Sequence, residues 1–109
     1  SVLYALAASE NMWKQRIAVV STLALIRDNQ FSDTMKLAEM FLDTRHDLMQ
    51  KAVGWMLREV GKRDERTLTD FLDGHCLQMP RTMLRYAIEK FTPDQRAHYM
   101  RRSLIISHK

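Results

Sequence analysis

The sequence has few of the residues that build disulfide-bonded or β-rich proteins. Its 109 residues include one cysteine, Cys76, so no disulfide can form within the chain. Three glycines and two prolines, without alternating runs of valine, isoleucine and threonine, leave little room for β-strands and tight turns. We therefore predict an all-α protein with a reduced thiol, as is typical of the cytoplasm.

Long hydrophobic runs are also missing. No apolar run reaches the roughly 18 residues that a membrane-spanning helix needs, and residues 1–9 lack the basic start of a secretory signal. The chain is 46% hydrophobic and has a length typical of a single domain, residues 1–109. The sequence thus predicts one cytoplasmic domain with no membrane partner.

The signs of an enzyme that uses a nucleophile, a cofactor or a metal are absent as well. No serine, threonine or cysteine has a convincing neighbouring base, and no glycine-rich phosphate loop occurs. Nothing in the chain has the spacing of a zinc site. We expect neither a cofactor nor a metal.

The chain does have a small excess of positive charge. Seventeen lysines and arginines against thirteen aspartates and glutamates give a net charge of +4. Such a balance favours an acidic partner, with nucleic acid as the first candidate. The distribution of the cations along the chain is more informative than their number.

The basic residues are concentrated on one face of a helix predicted over residues 47–62. At about 100° per residue, positions separated by four, three and four residues form one stripe, here Lys51, Trp55, Arg58 and Lys62. An apolar stripe on roughly the opposite side consists of Met49, Val53, Met56 and Val60. Lysine and arginine neutralise phosphates, and an indole face attracts cationic and sugar groups. The first stripe therefore fits a polyanion, although Trp55 packing on a neighbouring helix is the alternative.

Short breaks divide the rest of the chain into further helices. Capping residues, prolines and glycines predict helices over residues 10–28, 32–42, 47–62, 64–73, 80–91 and 93–102. Ser9 is the predicted N-cap of the first helix, and Gly74 is the predicted left-handed residue that ends the fourth. The first helix is apolar nearly all round, so we expect other helices to cover it on several sides.

A faint internal repeat aligns three of these helices. Offsets of 35 and 34 residues bring Arg16, Lys51 and Arg85 into one column, each followed by small and apolar residues. The pattern predicts a HEAT-like α-solenoid of about three antiparallel helical hairpins, with the three cations side by side. A generic antiparallel helical bundle is the alternative.

Three single residues give further expectations about packing. Arg16 adjoins a largely apolar helix face, where an unpaired guanidinium is costly, so we expect an anionic partner such as Asp47 or Glu59. Trp13, one turn earlier, is expected in the core rather than stacked on Arg16. Gly54 costs about 1 kcal/mol relative to alanine in the middle of a helix, which indicates close approach of a neighbouring helix.

The chain resembles the DNA alkylation repair family of HEAT-like alkylpurine DNA glycosylases in the blocks NMWKQRIAVVSTLALI, HDLMQKAVGWMLREVGKRD and MPRTMLRYAIEKF. The resemblance spans Asn11 to about Tyr99 and implies a curved solenoid whose concave basic face holds duplex DNA. It implies that Arg16, the arginine of a W-x-x-R motif, contacts the DNA backbone at the lesion. Trp55, in a K-A-x-G-W motif, is implied to contact the deoxyribose of the damaged nucleotide.

Family members excise cationic 3-alkyladenine and 7-alkylguanine bases, so the resemblance implies duplex DNA with alkylated purines as the partner. The expected catalytic residue is Trp55, and the expected DNA-binding residues are Arg16, Lys51, Arg58, Lys62 and Arg85. The family's essential aspartate and a second tryptophan come from an upstream motif resembling W-D-x-V-D, which does not occur in these residues. The chain is therefore expected to be the C-terminal half of a longer family member, with a naturally short relative as the alternative.

Two other functions are compatible with the sequence. A noncatalytic relative would bind duplex DNA without releasing bases, and its affinity would fall steeply with salt. A protein-interaction scaffold is the commonest use of a helical solenoid. The scaffold would be favoured if another helix covered the stripe from Lys51 to Lys62.

Overall fold

The protein folds as a succession of α-helices. The computed structural model describes the backbone of residues 2–107 and the side chains of residues 2–103. Within these residues there is no β-strand, which confirms the predicted all-α class. The helices are α1 (Val2–Ala7), α2 (Met12–Ser21), α3 (Leu23–Arg27), α4 (Ser32–Met40), α5 (Asp47–Arg63), α6 (Glu65–His75), α7 (Arg81–Ala87) and α8 (Pro93–Ser107). Among these described helices, none combines the length and the apolar character needed to cross a membrane.

Polar side chains determine where several helices begin. The side-chain oxygen of Asn11 accepts hydrogen bonds from two backbone N–H groups in the first turn of α2, at 2.9 and 3.3 Å. The predicted start at residue 10, with Ser9 as N-cap, is therefore wrong, because Asn11 satisfies the free N–H groups instead. α8 begins at Pro93, as predicted, and Thr92 caps it. Its hydroxyl accepts the Gln95 backbone N–H at 3.2 Å, and the Gln95 side chain accepts the Thr92 N–H at 3.0 Å.

The prediction of one long helix over residues 10–28 is wrong, because the chain forms two helices there. α2 ends at Ser21 and α3 begins at Leu23. Between them, the buried Thr22 donates both its hydroxyl and its backbone N–H to the carbonyl of Val19, at 2.7 and 3.2 Å. A side-chain hydrogen bond of this kind competes with the regular helix pattern and interrupts it.

The prediction that Gly74 ends α6 in a left-handed conformation is also wrong. α6 continues through Gly74 to His75, and no described glycine has a positive φ. The left-handed conformation occurs instead after α3, at Asn29 with a φ of 58°. Asparagine is one of the few non-glycine residues that tolerate it. In addition, α7 is shorter than predicted and α8 is longer.

α5 lies at the centre of the fold and packs against α2, α3, α4, α6 and α7. Its predicted apolar stripe is confirmed as its core face, since no member is more than 1% exposed: Met49, Val53, Met56 and Val60. Full burial of such a side chain contributes roughly 1.5–3 kcal/mol. The packing of this face therefore fixes the direction in which the basic face of α5 points.

α2 leaves one apolar turn more exposed than its sequence predicts. Ala18 and Val19 are buried, but Trp13 is 59% exposed and Ile17 is 56% exposed. The prediction that Trp13 lies in the core is therefore wrong. The prediction that other helices cover this segment on several sides is confirmed, since α2 packs against α1, α4 and α5. Because Trp13 and Ile17 lie on the side of α2 opposite the buried pair, one apolar turn of the helix faces outward.

A buried phenol joins α8 to α6. The Tyr99 hydroxyl donates a hydrogen bond to a carboxylate oxygen of Asp73 at 2.9 Å, and Arg102 donates to the same oxygen at 3.4 Å. Burial, together with the hydrogen bond to the Asp73 carboxylate, raises the pKa of Tyr99 to about 12. The folded state therefore favours the neutral phenol.

Candidate nucleic-acid interface

The basic stripe of α5 borders a cavity between α2 and α7, which we name the Trp55 cavity. Its volume is about 230 Å³. α5 contributes most of its wall, and α2 and α7 contribute one residue each. The lining residues are Arg16, Leu48, Lys51, Ala52, Trp55, Arg58 and Tyr86. The structure thus brings four of the predicted site residues together: Arg16, Lys51, Trp55 and Arg58.

Trp55 is half-buried and has two environments. It packs against the hydrophobic core, as expected if Trp55 packs on a neighbouring helix, and it also lines the cavity. Within the described part of the chain, neither Trp55 nor Trp13 takes part in a ring stacking or cation–π contact. The Trp55 ring therefore has no cationic partner inside the described protein.

Gly54 explains how α7 reaches the Trp55 cavity. A methyl group at this position would lie 2.5 Å from Cβ of Tyr86 and 2.6 Å from the carbonyl oxygen of Met83, both on α7. The predicted close approach of a neighbouring helix is confirmed. This approach places Tyr86 in the cavity wall, a residue that the sequence analysis missed. The signal available in the sequence was its position next to Arg85 in the repeat.

Arg16 carries a charge that no described residue of the chain neutralises. Its half-buried side chain forms no ion pair or hydrogen bond with any described residue. The expected carboxylates pair elsewhere: Asp47 with Lys51 at 2.8 Å and Glu59 with Lys62 at 2.9 Å. The prediction of a partner among these acids is wrong, because each lies within one turn of a lysine on its own helix. Arg16 is left able to bind an external anion.

Arg58 lines the same cavity but is held differently. Its Nη1 donates to the Glu89 carboxylate, and its side chain is only 17% exposed. Its Nε is buried and has no acceptor. The sequence analysis missed Glu89, since it follows α7 in a connecting segment and no helical spacing relates it to Arg58. The Glu89 carboxylate partly neutralises Arg58, whereas Arg16 keeps its full charge.

Lys51 connects the Trp55 cavity to Arg85. A neighbouring cavity of about 240 Å³ is lined by Asp47, Lys51, Thr82, Arg85 and Tyr86. The hydrogen bond to Asp47 and the negative charge of that carboxylate raise the pKa of Lys51, so its amine stays protonated. Arg16 and Lys51 share one cavity and Lys51 and Arg85 the next, so the three cations follow the predicted order across α2, α5 and α7.

Lys62 lies on the same face of α5 but outside the Trp55 cavity. It lines a separate cavity together with Arg58. The Lys51 side chain is 42% exposed and the Lys62 side chain 48% exposed. Between them, Arg58 is 17% exposed and Trp55 packs against the core. Within the described chain, the stripe is therefore open at its two ends and partly covered in its middle.

The Trp55 cavity is suited to binding rather than to proton transfer. It offers guanidinium and ammonium donors beside two aromatic rings, and no described lining residue is a carboxylate or a histidine. Among the described side chains, no cluster of three or more histidines, cysteines or acids could hold a metal ion. These residues can bind a phosphate and contact a sugar, but they do not include a group that activates water.

A comparison with protein families agrees with this geometry. The family described as DNA alkylation repair enzyme matches residues 1–91, which include every predicted site residue. No curated protein and no solved structure matches the chain. The family match covers most of the 109 residues and confirms the resemblance seen in the sequence blocks. The chain therefore belongs to the family of DNA alkylation repair enzymes.

Proposed function

We propose that this chain provides the duplex-DNA-binding surface of a DNA glycosylase that excises cationic alkylpurines, namely 3-alkyladenine and 7-alkylguanine. Membership of the DNA alkylation repair family supports this class of lesion. The observation that carries the proposal is the position of Arg16, which shares a cavity with Trp55 and has no counter-ion among the described residues. A phosphate beside a deoxyribose fits this pair.

Each site residue has its own role in this proposal. Arg16 binds a backbone phosphate at the lesion through charge-assisted hydrogen bonds, and Trp55 lies against the deoxyribose of the damaged nucleotide. The surrounding cations steer and position the duplex by neutralising further phosphates. These cations are Lys51, Arg58, Lys62 and Arg85.

The proposed reaction needs little help with its leaving group, because an alkylated purine already carries a positive charge. The bond between C1′ and the purine nitrogen breaks, and its electron pair neutralises the departing base. Positive charge then develops on the deoxyribose, where the Trp55 ring stabilises it by cation–π attraction. Water adds to C1′ and gives its proton to a carboxylate. No carboxylate lines the described cavity, and we assign this one to the upstream W-D-x-V-D motif that the family resemblance implies.

The arrangement of helices supports the HEAT-like architecture that we propose for residues 1–109 as one domain. α5 packs against both α2 and α7, so these three helices form one layer. α6 packs against α5, and α8 packs against α7, which gives each of these helices an adjacent partner. A solenoid of about three hairpins has this pattern of neighbours.

Release of 7-methylguanine from methylated duplex DNA tests the proposal. We would compare the 109-residue chain with a version extended upstream by the half that carries a W-D-x-V-D motif. We expect release by the extended version only, because it alone supplies the carboxylate. Release by neither version would contradict the glycosylase assignment.

A noncatalytic DNA-binding protein is the second candidate, and the absence of an acidic side chain from the described Trp55 cavity favours it. Such a protein would use the same cations to recognise duplex shape. It would bind duplex DNA with a steep dependence on salt and would release no base even in the extended version. The two candidates therefore differ in base release and agree on DNA binding.

A further inference from the structure

The cavity that Lys62 and Arg58 line adjoins the Trp55 cavity at Arg58, and it contains a third cation, Lys90, that has no role in the proposed function. It has a volume of about 240 Å³ and lies where α5 and α6 meet the segment between α7 and α8. Its polar and charged lining residues are Arg58, Lys62, Glu65, Lys90, Thr92 and Gln95. We name it the Lys90 cavity.

The charge of the Lys90 cavity is predominantly positive. Three cations and one carboxylate line it, and that carboxylate, Glu65, already accepts a hydrogen bond from the Gln95 side chain at 3.0 Å. Two of the cations have carboxylate partners outside the lining, Arg58 with Glu89 and Lys62 with Glu59. Lys90 is exposed and forms no ion pair or hydrogen bond with any described residue. The cavity is therefore suited to an oxyanion.

Arg58 belongs to both cavities and is incompletely satisfied. It lines the Trp55 cavity and the Lys90 cavity, its Nη1 is bound to Glu89, and its buried Nε has no acceptor. A buried guanidinium N–H without an acceptor is unfavourable. The Glu89 carboxylate is 54% exposed, so it can return to water when another oxyanion takes its place.

The two cavities are close enough to serve one polymer. Trp55 and Lys62 are seven residues apart on α5, which corresponds to about 10 Å along the helix axis. Because Arg58 lies between them and lines both cavities, an anion chain that followed this face of α5 from Trp55 would reach the Lys90 cavity. A polyphosphate backbone has the repeated charge that such an arrangement requires.

We propose that the Lys90 cavity is a second phosphate subsite for the same DNA duplex. Glu89 pairs with Arg58 in the free protein, and a backbone phosphate replaces the Glu89 carboxylate when DNA binds. This inference rests on the proposed DNA-binding function. Lys90 adds a phosphate contact that the repeat column and the basic stripe do not include. Glu89 restrains binding to DNA in general, because each binding event must displace it from Arg58.

Substitution of Lys90 tests the subsite directly. In the 109-residue chain, Lys90→Ala should weaken binding to undamaged duplex DNA. It should also lower the slope of log affinity against log salt concentration by about 1, since one phosphate contact is lost. The ratio of wild-type to variant affinity should fall about threefold between roughly 50 and 200 mM salt. Lys36→Ala is the matched control, since this exposed lysine on α4 lines neither cavity. Identical behaviour of the two variants would overturn the proposal.

Substitution of Glu89 tests the exchange at Arg58. Glu89→Gln should strengthen duplex binding more than Asp70→Asn, which removes the same charge from an exposed position on α6. The gain should disappear when Arg58 is also replaced by glutamine, because the two residues act as a pair. A Glu89→Gln variant that binds no better than Asp70→Asn would contradict the exchange.

Two controls separate this subsite from the proposed function. If the wild-type chain did not bind duplex DNA at low salt, the proposed function would fail and the subsite with it. If Arg16→Gln weakened binding while Lys90→Ala did not, only the subsite would fail. Inorganic phosphate, at matched ionic strength, should displace the duplex no better than chloride. Specific displacement would indicate a site for free phosphate and would overturn the assignment to the DNA backbone.

Discussion

The two faces of α5 differ in what they contribute. Met49, Val53, Met56 and Val60 are almost completely buried and hold the helix against its neighbours. The opposite face, with Lys51 and Trp55, borders a cavity and remains partly exposed. One 17-residue helix thus separates stability from the candidate site, so substitutions on the two faces should affect different measurements.

The cations of the basic face differ in whether a carboxylate neutralises them. The lysines of α5 have carboxylate partners one turn away, and Arg58 has Glu89. Arg16 reaches the same cavity from α2 with no such partner among the described residues. Ion pairs between residues three or four positions apart form only within one helix. Arg16 lies on a different helix from the acids of α5, so it forms no such pair with them. The strongest attraction for an incoming phosphate is therefore at Arg16.

The largest expected effect is on the apolar face. Met56→Ala should lower the free energy of unfolding by about 2–5 kcal/mol, because Met56 is fully buried and its removal leaves a cavity. Met40→Ala, at a position that is 46% exposed, is the control and should change stability little. Denaturant unfolding measures both. If folded Met56→Ala protein lost DNA affinity, the claim that the apolar face contributes to stability and not to DNA binding would be wrong.

Alkaline pH should reduce stability through a region away from the basic face. The pKa of Tyr99 is raised to about 12, whereas an unfolded tyrosine titrates near 10. The neutral phenol therefore stabilises the fold fully below about pH 10, and this contribution is lost as pH rises towards about 12, a change of roughly 2–3 kcal/mol. Tyr99→Phe should lack this loss in unfolding measured over the same pH range. Equal pH dependence in both proteins would contradict the assignment.

Trp55→Ala should affect excision more than binding. If the ring stabilises developing charge on the sugar, its removal costs about 2 kcal/mol, or roughly 30-fold in the rate of 7-methylguanine release by an active, extended enzyme. Affinity for undamaged duplex should change less. Trp13→Ala is the matched control, since Trp13 lines no part of the Trp55 cavity. Equal losses of excision and binding would rule out the proposed role of Trp55.

Gly54 tests the contact that carries Tyr86 into the cavity. Gly54→Ala should lower the free energy of unfolding by about 1–2 kcal/mol, because the clash with α7 outweighs the better helix propensity of alanine. Gly74→Ala is the matched control. Its methyl group would meet no atom within 4 Å on a helix, so it should stabilise the protein slightly. Thermal unfolding that ranks the two variants in the reverse order would contradict the packing.

The sequence predicted the features that depend on spacing within one helix. The two stripes of α5 follow from periodicity, and the close helix contact follows from the cost of Gly54. The break at Thr22, the exposure of Trp13 and the left-handed Asn29 were not predictable in this way. They depend on local hydrogen bonds and on which helix packs where, and neither leaves a periodic signal.

Pairings between helices were also beyond the sequence. Glu89 pairs with Arg58 across 31 positions of the chain, and Tyr86 enters the cavity because α7 approaches Gly54. The expectation that Asp47 or Glu59 would neutralise Arg16 was wrong, because each of these acids pairs with a nearer lysine on α5. Competition among possible partners is decided by three-dimensional distance, which one sequence does not give.

The salt dependence of duplex DNA affinity, measured for the wild type and Arg16→Gln, tests the candidate interface most directly. If Arg16 binds a backbone phosphate, the substitution should weaken binding and reduce the salt slope by about 1. Lys36→Gln should leave both quantities close to those of the wild type. An unchanged slope in Arg16→Gln, or no duplex binding by the wild type at low salt, would contradict the assignment of this face to DNA.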